Sequence, residues 1–198
     1  MKIQLDISYK GSRQYIHGTD LFNAIQAAAS GTISGKGAYV NKFGLSRFAY
    51  HLCELCLDQC AGTGAKVGEG ELTLDDGSHT TFSLYETSQR PTERRPYDED
   101  SMVAVAAFDG QSATLQAPIG YTTIEVVIAL TKVLNYRLAT PKQGKWVFGK
   151  IELNQALPTI KESVTITRTK GVPGRFSVNE IVIDGRNVGA IHFIVGTP

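Results

Sequence analysis

Ile3, Leu5, Ile7 and Tyr9 alternate with polar residues in KIQLDISY, residues 2–9, which is the two-residue period of a half-buried strand. After the polar turn KGSRQ the period changes. In YIHGTDLFNAIQAAASG, Leu21, Phe22, Ile25 and Ala28 recur at helical spacing, with Thr19 or Asp20 as N-cap and Gly31 beyond the end. The glycine-rich GTISGKGA that follows reads as a loop. Residues 43–60 fit both periods. Leu45, Phe48, Leu52 and Leu55 suit a helix closed by Gly62, whereas Phe48, Tyr50 and Leu52 alternate as in a strand. KVGEGELTLDDGSHTTFSLYET then predicts two strands joined at Asp76-Gly77.

Residues 88–101, SQRPTERRPYDEDS, are polar, hold two prolines and pass from basic to acidic, so they read as a linker between a unit 1–100 and a unit 101–198. Beyond it, MVAVAAFDGQSATLQAP predicts two strands around Asp109-Gly110. KWVFGKIELN, SVTITRTK, RFSVNEIVID and VGAIHFIVG predict four more, the last pair turned by Asp184-Gly185.

The stretch between these strands, APIGYTTIEVVIALTKVLNYRL at 117–138, is the most apolar helix pattern in the chain. From Ile124 to Leu130 every position is apolar except Glu125. A helix apolar all round is a buried helix, and a carboxylate in it must be paired, neutralised or used in chemistry. A Pro-Ile-Gly turn leads in, and Thr122 and Thr123 can cap the first turn. Gly18 and Gly120 open the two helices 102 residues apart, and Phe22/Ile124 and Ile25/Val127 fall in step. That order predicts a duplicated unit.

Composition narrows the classes of function. With 198 residues and 42% hydrophobic content the chain can bury a full core. Twenty basic against 19 acidic residues leave a net charge of +1, which argues against a nucleic-acid or polybasic membrane partner. No run reaches the length of a membrane span, and MKIQLDISYKG lacks the apolar core of a signal peptide, so a cytoplasmic protein is expected. Cys53, Cys56 and Cys60 are expected to be free thiols. With His51 they spell H-x-C-x-x-C-x-x-x-C, but a structural zinc takes four ligands, usually as two separated pairs, so small buried hydrophobes are the better reading. No metal and no cofactor is expected.

A long helix followed by antiparallel strands, twice over, resembles a double hot-dog protein: an α+β fold in which one continuous antiparallel sheet wraps two central helices. Within that resemblance, Gly120-x-x-x-x-Glu125 is similar to the opening of the central helix in β-hydroxyacyl-ACP dehydratases, which enter through Pro-Gly and carry a carboxylate five residues on. Ile119 stands where that proline would be. Those enzymes place a histidine nine residues before the glycine; here Tyr9 and Gln111 occupy the two positions. His17-Gly18 resembles instead the helix opening of hot-dog acyl-CoA thioesterases, whose backbone N–H groups polarise the thioester carbonyl.

The resemblance implies an enzyme acting on acyl thioesters of CoA or acyl carrier protein: a dehydratase or hydratase with Glu125 as general acid/base, with a thioesterase or a non-catalytic acyl binder as alternatives. It implies one competent site, with Glu125 from the second half and His17 or Tyr9 from the first, since Asn23, matched to Glu125, is no acid. Gly18, Gly120 and Tyr121 would bind substrate. Burial would raise the carboxyl pKa toward neutrality, and a helix N-terminus suits a developing enolate. Arg94, Arg95 and Lys145 could steer a phosphopantetheine arm. A monomer or homodimer is expected.

Overall fold

The computed structural model describes residues 1–35, 37–58, 60–116 and 120–197. The chain divides into two compact units, Met1–Tyr97 and Asp98–Pro198.

The first unit contains β1 (Lys2–Gln4), β2 (Tyr9–Lys10), α1 (Gly18–Ala28), β3 (Tyr39–Leu45), β4 (Cys53–Leu57), β5 (Lys66–Thr73), β6 (His79–Glu86) and β7 (Arg94–Arg95). Its antiparallel strands run in the order β1-β4-β6-β5-β3, and β2 pairs in parallel with β7. The alternation of residues 2–9 is thus split between two short strands, although Leu5, Ile7 and Tyr9 are all buried. Residues 43–57 settle as the end of β3, a loop and β4, so the helical reading of that stretch is overturned. Cys53, Leu55, Cys56 and Leu57 are all buried, and the strand pairs with β1 on one side and β6 on the other. The hairpin at Asp76-Gly77 forms as expected, with Gly77 at φ +80°.

Helix α1 packs on β3. Leu21 and Ile25 are fully buried, each contributing about 2 kcal/mol of hydrophobic stabilisation. Phe22 meets Phe43 at 6.5 Å between ring centroids, and Phe43 meets Phe82 at 6.3 Å. The N-cap is His17, not Thr19 or Asp20, which lie inside the first turn. The helix does not stop before Gly31 either: a π-helical turn, Ala29–Ile33, follows it.

The second unit contains α2 (Glu99–Val103), β8 (Ala107–Asp109), β9 (Ser112–Gln116), α3 (Thr123–Leu138), β10 (Lys145–Leu153), β11 (Ser163–Val172), β12 (Phe176–Ile183) and β13 (Arg186–Gly196). The antiparallel order is β10-β13-β12-β11-β9-β8. The 16-residue α3 lies against β9, β10, β11 and β12, and Val126, Val127, Leu130 and Leu134 are fully buried. Asp184 and Gly185 both take positive φ, the turn that a two-residue hairpin needs.

Three expectations change here. The stretch 88–101 is more than a linker, since it supplies β7 and the start of α2. Met102 and Val103 belong to α2 rather than to a strand, with Asp98 capping α2 through Ser101 N at 3.0 Å and Lys132 of α3 gripping Glu99 at 2.9 Å. Among the described residues the long helix expected in both units stands in the second alone; α1 is 11 residues.

Candidate functional site

A dense polar cluster of the first unit lies where α1 begins. Strand β2 delivers Tyr9 and Lys10 to it. The Tyr9 hydroxyl donates to the Tyr50 carbonyl at 2.7 Å, and the Arg94 guanidinium lies over the Tyr9 ring at 5.1 Å. Arg94 also donates to the carbonyls of Gly11 and Arg13, at 2.6 and 2.8 Å. Gly11, at φ +53°, turns the chain there, and Ile16 N bonds to Ala49 O at 2.7 Å. Arg94 therefore holds the loop that leads into the helix.

Next along the chain, His17 takes an extended N-cap conformation and Gly18 and Thr19 form the start of α1, both buried. The Lys10 ammonium, 5% exposed, donates to Thr19 Oγ1 at 2.9 Å and pairs with Asp20 Oδ1 at 2.9 Å. His17 Nδ1 lies 2.8 Å from the same Thr19 oxygen. The Tyr97 ring closes the group: Lys10 Nζ is 4.6 Å from its centroid, the Arg13 guanidinium 5.2 Å, and the His17 ring 5.5 Å. A buried ammonium is tolerable only when paired and hydrogen-bonded, and Lys10 is both. Asp20 also sits in the first turn of α1, where a carboxylate favours the helix dipole.

The opening of α3 is built differently. Gly120, at φ +85°, precedes exposed Tyr121, and Pro118 and Ile119 of the expected turn lie outside the described residues. Thr122 is the N-cap. Glu125 accepts from Thr122 N at 2.7 Å and from Thr122 Oγ1 at 2.9 Å, completing a capping box. Its side chain is half-buried rather than shut away from water. The reason is positional: the apolar run begins one residue earlier, but the first turn of a helix needs its N–H groups answered, and Glu125 answers one.

Three other histidines lie beside carboxylates in space. His51 Nδ1 lies 3.5 Å from Glu86, His79 Nδ1 3.4 Å from Glu71 and His192 Nε2 3.2 Å from Glu152. Burial holds the His192 pKa below its ordinary value, and neighbouring Lys150 adds to that. Glu152 is also held low, because Lys150 and His192 outweigh its burial. Burial pushes the Cys53 thiol up to about 12 and the Cys56 thiol up to about 11, the reverse of what a nucleophilic or metal-binding thiolate needs. Among the described residues, no three His, Cys, Asp or Glu side chains are grouped to hold a metal ion, and no helix is long and apolar enough to cross a membrane.

No protein-family model matches the sequence, and no curated protein matches it. Solved structures do. The dehydratase domain of RzxB from Pseudomonas fluorescens superposes with a TM-score of 0.51 at 12% identity, covering 90% of this chain and 85% of that one. The chain has the hot-dog fold. Other similar structures are the dehydratase domain of PpsC from Mycobacterium tuberculosis in complex with C12:1-CoA (TM-score 0.48, 11% identity, 98% and 92% covered) and an acyl-ACP thioesterase from Bacteroides thetaiotaomicron (0.45, 10%, 98% and 96%).

On this hot-dog chain, the candidate residues fall into two groups. His17 and Gly18 stand together at the opening of α1, with Tyr9 one residue from Lys10 in the strand behind. Glu125, Gly120 and Tyr121 stand at the opening of α3. Sequence reading missed Lys10, Tyr97 and the hydroxyl role of Thr19. A lysine one residue after a buried strand tyrosine carries no periodic signal, and nothing in the sequence links position 10 to position 97.

Proposed function

We propose that this protein acts on acyl thioesters carried by CoA or acyl carrier protein, interconverting β-hydroxyacyl and enoyl thioesters. The observation that carries the reading is the His17–Thr19–Lys10–Asp20 network at the opening of a helix in the hot-dog fold. The dehydratase domain of RzxB shares that fold, and the PpsC domain has been captured with an acyl-CoA. We read each unit as one hot dog. The free N–H groups and partial positive charge of a helix start suit the oxygen of a thioester carbonyl as it gains charge. Histidine at that position supplies a further polar contact, and Gly18, with no side chain, lets a carbonyl approach the backbone. Glu125 is the proposed general acid/base, released from Thr122 during turnover; Gly120 and Tyr121 are proposed as substrate contacts. Tyr9 is given a supporting role, because its hydroxyl is already donated to Tyr50.

The test is product analysis with a crotonyl or β-hydroxybutyryl thioester. The reading requires a change in enoyl absorbance with no release of thiol. Free thiol would replace it with thioester hydrolysis.

One observation favours a second reading, a non-catalytic acyl-thioester binder: the Glu125 carboxylate accepts two hydrogen bonds from Thr122 and already serves its own helix. Acyl-CoA that raises the melting temperature without being converted would establish that reading instead.

A further inference from the structure

The outer face of the second unit's sheet ends in a row of exposed apolar side chains. Val172 of β11 stands opposite Phe176 of β12, Phe176 opposite Ile194 of β13, and Ile194 opposite Val147 of β10. Val172, Phe176 and Ile194 are 41%, 42% and 45% exposed, and Val147 is half-buried. Ser177 and Phe193, each one residue away along its strand, are buried on the opposite face, as strand alternation requires. The next outer row is Lys170, Val178, His192 and Lys150, so a lysine stands at each end of it. On the other side lies the β11–β12 turn, where exposed Arg175 directly precedes Phe176. A Cβ at Gly174 of that turn would lie 3.8 Å from Pro141 Cα, which brings Lys142 to the same end of the sheet. Segments 139–151, 163–179 and 191–197 build this end of the unit and contain six Lys or Arg and no Asp or Glu. The net charge of the whole chain is only +1, so this cationic character is local. Lys150 meets a carboxylate from one row further on, Glu152 at 3.2 Å.

An apolar centre with a charged rim is the anatomy of a protein–protein interface. Here the rim carries one sign, so its complement is acidic. Four strands at a spacing of about 4.8 Å make the row about 14 Å long. A helix with apolar residues at i, i+4 and i+7 covers about 11 Å and fits along it. A bilayer takes up a protruding apolar tip, whereas these side chains form a row across four strands and keep more than half of their surface covered. A nucleic acid would need cations at the centre of the patch, where the apolar row lies. We propose that this face docks a partner protein through an amphipathic helix whose apolar stripe is edged with Asp and Glu. The stripe covers Phe176 and Ile194, and its carboxylates reach Lys170 and Lys150 on one side and Arg175 on the other. The docking face stands whether or not the protein converts thioesters.

The test titrates the whole 15N-labelled protein with a synthetic helical peptide of about fifteen residues, bearing a leucine stripe edged with glutamate. Amide shifts are expected to centre on Val172, Phe176 and Ile194, and Kd should rise at least about tenfold between about 50 and about 300 mM NaCl. Ile194→Asp and Lys170→Glu should each weaken binding at least about tenfold with the urea midpoint little changed, because both side chains are exposed. The same peptide with lysine in place of glutamate should not bind. Equal binding of the lysine peptide, or shifts absent from these residues, overturns the proposal without any variant. Binding to phosphatidylserine vesicles in place of the peptide would assign the face to a membrane and overturns it too. Self-association of the wild type that Ile194→Asp abolishes would assign the face to a second copy of this chain, with the same consequence.

Discussion

Asp20 and Glu125 each stand three residues after the N-cap of their unit's helix, Asp20 after His17 and Glu125 after Thr122. Asp20 holds the buried Lys10 ammonium at 2.9 Å, whereas Glu125 accepts from Thr122 N at 2.7 Å. Matched by their caps, the two helices pair Asp20 with Glu125, not Asn23 with Glu125 as the glycine spacing suggested. Both units thus carry an acid at this position, committed in different ways.

That difference separates stability from chemistry at Glu125. Glutamine serves a capping box as well as glutamate does, so Glu125→Gln should leave the urea unfolding free energy within about 0.5 kcal/mol of wild type. Glu125→Ala should lower it by about 1 kcal/mol. If Glu125 transfers a proton, Glu125→Gln also lowers kcat by about a hundredfold or more. Equal turnover in wild type and Glu125→Gln would end the acid/base assignment.

Lys10 should behave as half of a buried pair. Lys10→Met removes the cation from beside Asp20, whose side chain keeps 20% of its exposure, and should cost about 2 kcal/mol in urea unfolding. Lys10→Met with Asp20→Asn should recover part of that loss, since the carboxylate no longer faces an apolar group. Strict additivity of the two single changes would show that the ion pair contributes nothing.

Conformation favours glycine at position 120. Its φ is +85°, and among the described residues a Cβ there would meet nothing within 4 Å. Gly120→Ala should therefore destabilise by about 1 kcal/mol through backbone strain, with no steric rearrangement. A loss of several kcal/mol in the unfolding curve would mean that contacts matter there as well.

Acid should weaken the second unit through His192 and Glu152. The folded-state pKa of His192 lies below its ordinary 6.5, so the unfolded chain binds the proton first. The stability it contributes is complete above about pH 6.5 and falls as the pH drops toward its folded value. Glu152, also held low, contributes stability that is present above its ordinary 4.5 and is lost at more acidic pH. Urea unfolding at pH 7.5 and 5.5 should show a smaller difference in His192→Gln than in wild type. An equal difference would assign the acid sensitivity elsewhere.

Much of the architecture was readable because strands and helices announce themselves by period. The last four strands, their Asp-Gly turn and the hairpin at Asp76-Gly77 all lie where alternation put them. The stretch 43–60 was not readable, since Phe48 and Leu52 satisfy both periods and the pairing of β4 with β1 and β6 decides the matter from far away in sequence. The candidate site was half legible. His17-Gly18 is visible as a helix opening, but the lysine and the threonine hydroxyl that act on His17 depend on β2 being held beside α1 by Arg94, a contact 83 residues distant in sequence. Glu125 was over-read: an isolated acid in an apolar run looks buried, yet its place in the first turn gives it a capping role that apolar periodicity does not register.

The most direct test of the account is the initial rate of crotonyl-CoA hydration by His17→Asn beside that of the wild-type protein. Asparagine keeps a short polar group for Thr19 and removes the imidazole. The account predicts hydration by the wild type without thiol release, and a fall of about a hundredfold in kcat for the variant with its unfolding free energy little changed. Hydration by His17→Asn at the wild-type rate would contradict it.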